Sequence, residues 1–231
     1  MTDDTMAFLH QLRERGGEDL LKDLAEAVLQ KLMDFDVDNL IGAGRYERSD
    51  GRTTQRNGYR SPRGLDRAMM QKLIQGDWID AHDNLALVGP TGVGKSWIAS
   101  ALGHKACRDN RSVLYQRVPR LFEELALARG DGRHARLLRS LGRADLLVLD
   151  DWGLEPLDAA ARHDLLEILE ERYGRKSTLV TSQLPVDRWH EIVGDPTYAD
   201  AIMDRLVHNA HRIELTGESL RRARAKSAIT S

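Results

Sequence analysis

The residues Gly89-Pro90-Thr91-Gly92-Val93-Gly94-Lys95-Ser96 carry the clearest chemistry in the chain. They fit G-x-x-x-x-G-K-[ST], with an apolar run before them and a helical pattern after them. Glycines at 89, 92 and 94 let the backbone wrap closely around a phosphate. N–H groups and the following helix N-terminus then face the negative charge. Lys95 is expected to reach the β- and γ-phosphates of ATP, and the Ser96 hydroxyl to hold Mg²⁺. Such a site needs a metal-binding acid at the end of another strand. The run Leu146-Leu147-Val148-Leu149-Asp150-Asp151 offers one, apolar residues ending in two carboxylates. Asp150 is assigned to Mg²⁺, directly or through water, and Asp151 to orienting or deprotonating an attacking water.

These groups need a scaffold, and the chain from Gly64 onward supplies a regular one. Short apolar strands are expected at 84–88, 112–117, 145–150, 177–181 and 211–215. Helical patterns fall between them at about 95–108, 119–128, 132–142, 158–173 and 185–206, the last broken near Gly194-Asp195-Pro196. Pro119 and Pro185 suit first-turn positions, and Gly130 and Gly174 suit C-terminal caps. Alternation of this kind implies an α/β fold, a parallel sheet flanked by helices. Ahead of it, residues 18–33 place Leu20, Leu21, Leu24, Ala27, Val28 and Leu32 on one face of an amphipathic helix. The expected domains are a helical N-terminal segment (1–44), a basic linker (45–63), the α/β domain (64–222) and a basic tail (223–231).

The chain has 231 residues, room for one α/β domain and an appendage or for two small domains. With 41% hydrophobic and 30% charged residues, a buried core is expected. A formal net charge of −2 gives no global reason to invoke nucleic acid, but the charge is segregated. Residues 1–44 are acidic, while Arg45, Arg48, Arg52, Arg56, Arg60 and Arg63 make the next stretch basic. Cys107 is the sole cysteine, so no internal disulfide forms, which suits a reducing compartment. Asp3 and Asp4 do not read as a signal peptide, and no apolar run approaches the roughly 20 residues of a membrane helix. A cytoplasmic protein is expected.

A second constellation lies in 132–143. At 100° per residue Arg133, Arg136, Arg139 and Arg143 fall within an arc of about 120°, opposite Leu137, Leu138 and Leu141. Such a basic stripe suits the phosphates of duplex DNA without reading sequence. His208 and His211 lack the partners a zinc site needs. Trp78, Trp97, Trp152 and Trp189 read as packing residues rather than base-stacking platforms.

Residues 62–222 resemble the AAA+ domain of IstB-type helper ATPases, which assist insertion-sequence transposases and are similar to DnaC-type helicase loaders. The resemblance rests on GPTGVGKSWIASALGHKAC, LFEELALARGDG, DLLVLDDWGL, LEILEERYGRKSTLVTSQLP and GDPTYADAIMDRLVHNAHRIELTGESLRR. It implies the P-loop AAA+ sheet with the phosphate-loop strand central. It also implies that Gln183 (or Thr181) senses the γ-phosphate, that Arg205 is an arginine finger for a neighbouring subunit's nucleotide, and that Arg221 contacts nucleotide in cis. The basic helix falls where related initiators and loaders carry a DNA-contacting insertion. Residues 1–60 resemble instead the N-terminal region of Mutator-type transposases, through LLKDLAEAVLQKLM, VDNLIGAGRYERS and RTTQRNGYR. That resemblance implies a fusion seam near Gly58-Tyr59-Arg60, with none of the Asp/Asp/Glu catalytic domain.

The expected function is therefore a DNA-stimulated, Mg²⁺-dependent AAA+ ATPase. It would bind double-stranded DNA, form an ATP-dependent homo-oligomer and serve a cognate transposase. One alternative is a DnaC-like nucleotide switch with little turnover, since Asp151 reaches one methylene less than the glutamate common in such ATPases. Another is an inactive recombined insertion-element product.

Overall fold

The computed structural model describes residue 65, residues 67–217 and residue 219. The expected helix at 18–33, the basic linker, the tail and Arg221 lie outside the described residues.

A parallel strand covered on both faces has no polar side to present, so it reads as an unbroken apolar run. Asn84–Val88 (β1) and Ser177–Ser182 (β4) are buried along their whole length. β4 departs from the apolar rule with buried Ser and Thr residues whose hydroxyls are hydrogen-bonded, as at Thr178, Thr181 and Ser182. Leu146–Trp152 (β3) is buried except at Asp151. Val113–Arg117 (β2) and Ala210–Glu214 (β5) carry exposed residues because they lie at the sheet's edges. The order is β2-β3-β4-β1-β5, with every pairing parallel. The phosphate-loop strand, expected at the centre, is interior but displaced by one position. β4 takes the middle place between β3 and β1, and β5 closes the other side of β1.

Parallel neighbours require long crossovers, and helices provide them. Arg67–Gln75 (α1) and Asp77–Asp80 (α2) precede β1. Lys95–Arg108 (α3) joins β1 to β2. Val118–Gly130 (α4) and His134–Arg143 (α5) join β2 to β3. Ala159–Arg172 (α6) joins β3 to β4. Between β4 and β5 the single pattern at 185–206 becomes a 3₁₀ turn, then Trp189–Val193 (α7) and Pro196–Val207 (α8). The break falls at the Gly194 triplet. Gly194 adopts φ 75°, and Asp195 caps α8 by accepting the Tyr198 N–H at 3.0 Å. Asp158 caps α6 in the same way, at 2.7 Å from the Ala161 nitrogen.

The core joins Leu147, Leu149 and Val180 of the sheet to Leu121 and Leu125 of α4 and Leu165 and Ile168 of α6. Trp152 and Trp189 meet within it, ring centroids 5.6 Å apart. Trp78 is buried as well, but Trp97 is 40% exposed on the first turn of α3 and does not pack as expected.

α5 is fixed at both ends against α6. At its start, the buried Asp164 carboxylate receives Arg129 from the end of α4 and meets His134 Nε2 at 3.1 Å. At its end, buried Arg172 donates to the carbonyls of Leu141 and Ala144 at 2.7 and 2.8 Å. Between them, Gly142 lets α6 come so close that a Cβ there would lie 2.6 Å from Glu171 Cγ.

Candidate functional site

In an open parallel sheet, ligands collect at the carboxyl ends of the strands. Here those ends bring together the loop after β1, the acids ending β3, Arg117 ending β2 and the residues leaving β4. The loop itself depends on glycine. Gly89 has φ 146° and Gly92 has φ 85°, conformations that L side chains rarely adopt. Space is also short: a Cβ on Gly89 would lie 2.2 Å from the Leu215 carbonyl oxygen, and one on Gly92 2.2 Å from Ser219 Oγ. The segment after β5 thus lies directly against the phosphate loop.

Gly94 precedes α3, and Lys95 and Ser96 open it. The buried Lys95 ammonium donates to the carbonyls of Gly89 at 2.6 Å and Pro90 at 2.8 Å. Burial pulls its pKa down, opposed by the nearby charges of Asp151 and Asp150. Ser96 Oγ donates to Asp150 Oδ1 at 2.9 Å, and the Thr181 hydroxyl donates to the same oxygen. Thr91 Oγ1 lies 2.6 Å from Gln183 Oε1, donating to it. The two alternatives, Thr181 on β4 and Gln183 just past its end, therefore face different partners, Thr181 the acid and Gln183 the loop.

Asp150 and Asp151 sit on an irregularity in β3. Leu149 pairs with Val180, but the next pair is Trp152 with Ser182, so β3 carries one extra residue. Asp151 takes φ 63° there, and its N–H donates to Thr181 Oγ1 at 3.2 Å. The Asp151 carboxylate accepts the Arg117 guanidinium, Nε at 3.0 Å, and that contact raises the Arg117 pKa. Arg117 was not singled out from the sequence. The signal was present in the strand register, since Arg117 lies opposite Asp150, but register is invisible without the sheet. Tyr115, two residues earlier, was missed as well; partial burial and then the nearby Asp150 carboxylate push its phenol up to about 12.

The donor set suits Mg²⁺. Asp150 is buried, and its hydrogen-bond donors Ser96 and Thr181 are hydroxyls rather than cations. Among the described residues, no group of three or more His, Cys, Asp or Glu could hold a metal. A hard cation that keeps its waters and takes substrate phosphates matches one carboxylate and one hydroxyl.

Arg205 is elsewhere. It lies in the last turn of α8, where its carbonyl accepts from Asn84 Nδ2 at 2.8 Å. Asn84 starts β1, whereas the phosphate loop follows the end of β1. Arg205 and its own phosphate loop therefore lie at opposite ends of the sheet. Its guanidinium donates to the Ala201 carbonyl at 2.8 Å and to Glu170 Oε1 at 2.9 Å. Of the basic stripe, Arg136, Arg139 and Arg143 are exposed on α5. Arg133 falls one residue before the helix and pairs with Asp131, Nε to Oδ2 2.7 Å, so part of its charge is already matched. No helix among the described residues is long and apolar enough to cross a membrane.

A family model described as IstB-like ATP binding protein matches residues 22–228. An insertion-sequence ATP-binding protein of Sinorhizobium fredii is 79% identical over 164 residues, 71% of this chain and 67% of that relative. Another from the same organism is 30% identical over 220 residues, 95% of this chain and 67% of that relative. Among solved structures, DnaI is 25% identical with TM-score 0.58, covering 65% of this chain and 85% of that one. The DnaC helicase loader, at 19% identity and TM-score 0.56, covers 64% of this chain and 87% of that one, and shows the shared fold. The family match begins at residue 22, well ahead of the seam expected near residue 60. The Mutator-type fragment finds no support in these comparisons.

Proposed function

The chain belongs to the family of IstB-like ATP-binding proteins of insertion sequences, and from that premise we propose that it hydrolyses ATP with Mg²⁺ as a duplex-DNA-binding helper of transposition. The observation that carries this is the alignment of Ser96 Oγ on Asp150 Oδ1 at 2.9 Å beside the Lys95 ammonium. A hydroxyl and a buried carboxylate already converge beside the loop where phosphates would sit. Residues 64–222 form the ATPase module in this reading.

The loop from Gly89 to Gly94 wraps the phosphates, with the N–H groups from Thr91 onward and those at the start of α3 facing them. Pro90 has no N–H, and the Gly89 N–H donates to the Ser182 carbonyl. Lys95 exchanges its two loop carbonyls for β- and γ-phosphate oxygens. Ser96 and Asp150 would hold Mg²⁺, which would supply positive charge against the negative charge that develops in the transfer. Asp151 orients or deprotonates the attacking water after Arg117 has left its carboxylate. Gln183 contacts the γ-phosphate, with Thr181 keeping Asp150 in place, and Arg221 adds a contact from the same subunit. Arg205 serves a neighbouring subunit, which makes a homo-oligomer the active form, and a cognate transposase receives the bound DNA.

ATP turnover with and without duplex DNA tests this reading, with Lys95→Ala as the blank. Hydrolysis stimulated by DNA and absent from the blank supports it. Failure of the unaltered protein to bind ATP overturns it. A second reading, a nucleotide-dependent switch, has its own observation: Arg117 occupies the Asp151 carboxylate that hydrolysis needs. Tight ATP binding without turnover under either condition favours that switch.

The basic helix makes its own prediction. With Arg136, Arg139 and Arg143 each on a phosphate, the logarithm of duplex affinity per subunit falls against log salt with a slope of about −2.7. Replacing any one with alanine should weaken binding on all sequences alike and flatten that slope by about 1. Salt titrations followed by fluorescence anisotropy read both. An unchanged slope in all three variants removes α5 from the interface.

A further inference from the structure

We propose that Glu170 is a latch on Arg205, holding the guanidinium in the separate subunit until a neighbouring subunit's nucleotide takes it over. The proposal rests on the reading of Arg205 as acting in trans.

Arg205 does not project from the molecule. Its side chain is 24% exposed and lies back against its own helix, with Nη1 on the Ala201 carbonyl and Nη2 on Glu170. Glu170 belongs to α6, two residues before the helix ends, and its side chain is 55% exposed. Beside them is a small concavity lined by His82, Asn84, Arg172, Lys176, Arg205 and Asn209, among other residues, with no carboxylate in its wall. The other cations there have partners of their own. Lys176 pairs with Asp145 at 2.5 Å, and Arg172 is spent on backbone carbonyls and Thr178. Glu170 is thus the carboxylate matched to Arg205 among the described residues.

A guanidinium presents a planar set of donors suited to one anion at a time along each edge. The edge that holds Glu170 is one that a γ-phosphate also needs, so the two compete. A partly exposed ion pair is weak. A triphosphate carries more charge and outcompetes it, but only once a neighbour has brought one close. The latch therefore lets an isolated subunit keep its finger folded away and makes release depend on assembly.

Mixed subunits test this. Subunits with Arg205→Ala keep their own site intact but supply no finger. Subunits with Asp151→Asn bind ATP without turning it over and do supply one. Turnover by the mixture then reads the finger of the Asp151→Asn subunits. Adding Glu170→Gln to those subunits should raise turnover about 2- to 5-fold at limiting protein, the scale of an exposed ion pair. Adding it to the Arg205→Ala subunits instead should change nothing. Equal or lower turnover with the Glu170→Gln donor overturns the latch alone. So does a rise that appears whichever subunit carries the change, since that marks a general loosening. No recovery of turnover in the original mixture overturns the trans reading of Arg205 itself.

Discussion

Replacing Arg205 with alanine is expected to slow ATP turnover by about 10³- to 10⁵-fold while leaving ATP binding within a few-fold of the unaltered protein. The separation of the two effects follows from the fold. Arg205 stands by the start of β1, and the phosphate loop follows the end of β1, so the residue makes no contact with its own subunit's site. Its loss leaves the loop, Lys95 and Asp150 undisturbed. A finger acts on the charge that develops during phosphoryl transfer, so its removal falls on the turnover rate rather than on the affinity for substrate. Arg205→Lys should rescue little, because an ammonium cannot reproduce the planar fork of a guanidinium. Turnover per subunit should also rise with protein concentration in the unaltered chain and stay flat in the variant. Steady-state hydrolysis beside equilibrium binding of a fluorescent ATP analogue measures both. A variant that loses binding and turnover equally places Arg205 in a structural role.

The second large effect is on stability. Arg172→Met is expected to cost on the order of 3 kcal/mol, lowering the melting temperature by roughly 6–12 °C for a chain of this size. Arg172 is 1% exposed, and burial pushes its pKa down to about 10, so it remains charged at neutral pH. Its guanidinium supplies Thr178 Oγ1 at 3.0 Å and the carbonyls of Leu141, Ala144 and Ser177. Leu141 lies in the last turn of α5 and Ala144 just past it, where helix carbonyls have no partner of their own. Methionine fills the same volume but donates nothing. Each buried carbonyl left without a donor costs about 1–3 kcal/mol, partly offset by no longer burying a charge. Thermal unfolding followed by circular dichroism reads the change. A shift below about 2 °C means that water replaces the guanidinium and that this anchor of α5 is not needed.

Much of this architecture was legible because parallel strands and their helices leave strong periodic marks. The five strands fall within about two residues of their expected places. β1 and β3 announced themselves through the apolar runs Leu85–Val88 and Leu146–Leu149, and the glycines around Lys95 defined the phosphate loop. Strand order was less accessible. That β4 rather than β1 takes the centre depends on where each crossover lands, and no local pattern encodes it. Pairings between distant elements were hidden for the same reason: Arg117 on Asp151 between strands, and Glu170 on Arg205 and Arg172 on the end of α5 between helices, join residues far apart in sequence. Arg133 was misplaced at the level of a single residue, since the helix starts at His134. The Mutator-type reading of residues 1–60 leaned partly on RTTQRNGYR, a stretch of arginine, glycine and polar residues with no periodicity to check it against.

The extra residue in β3 also restricts which acid can follow Asp150. Asp151 holds φ 63°, a region where aspartate and asparagine are several-fold enriched and other side chains are uncommon. Glutamate is a single base change away and would lengthen the reach toward a water by one methylene. At this backbone it also incurs strain of about 1 kcal/mol or more, and it must still accept Arg117 from a longer arm. The codon change is easy, but the dihedral angle opposes it. Lineages carrying this bulge are therefore expected to keep aspartate at 151 until the strand itself is rebuilt, so that the identity of the acid follows the pleat of the sheet.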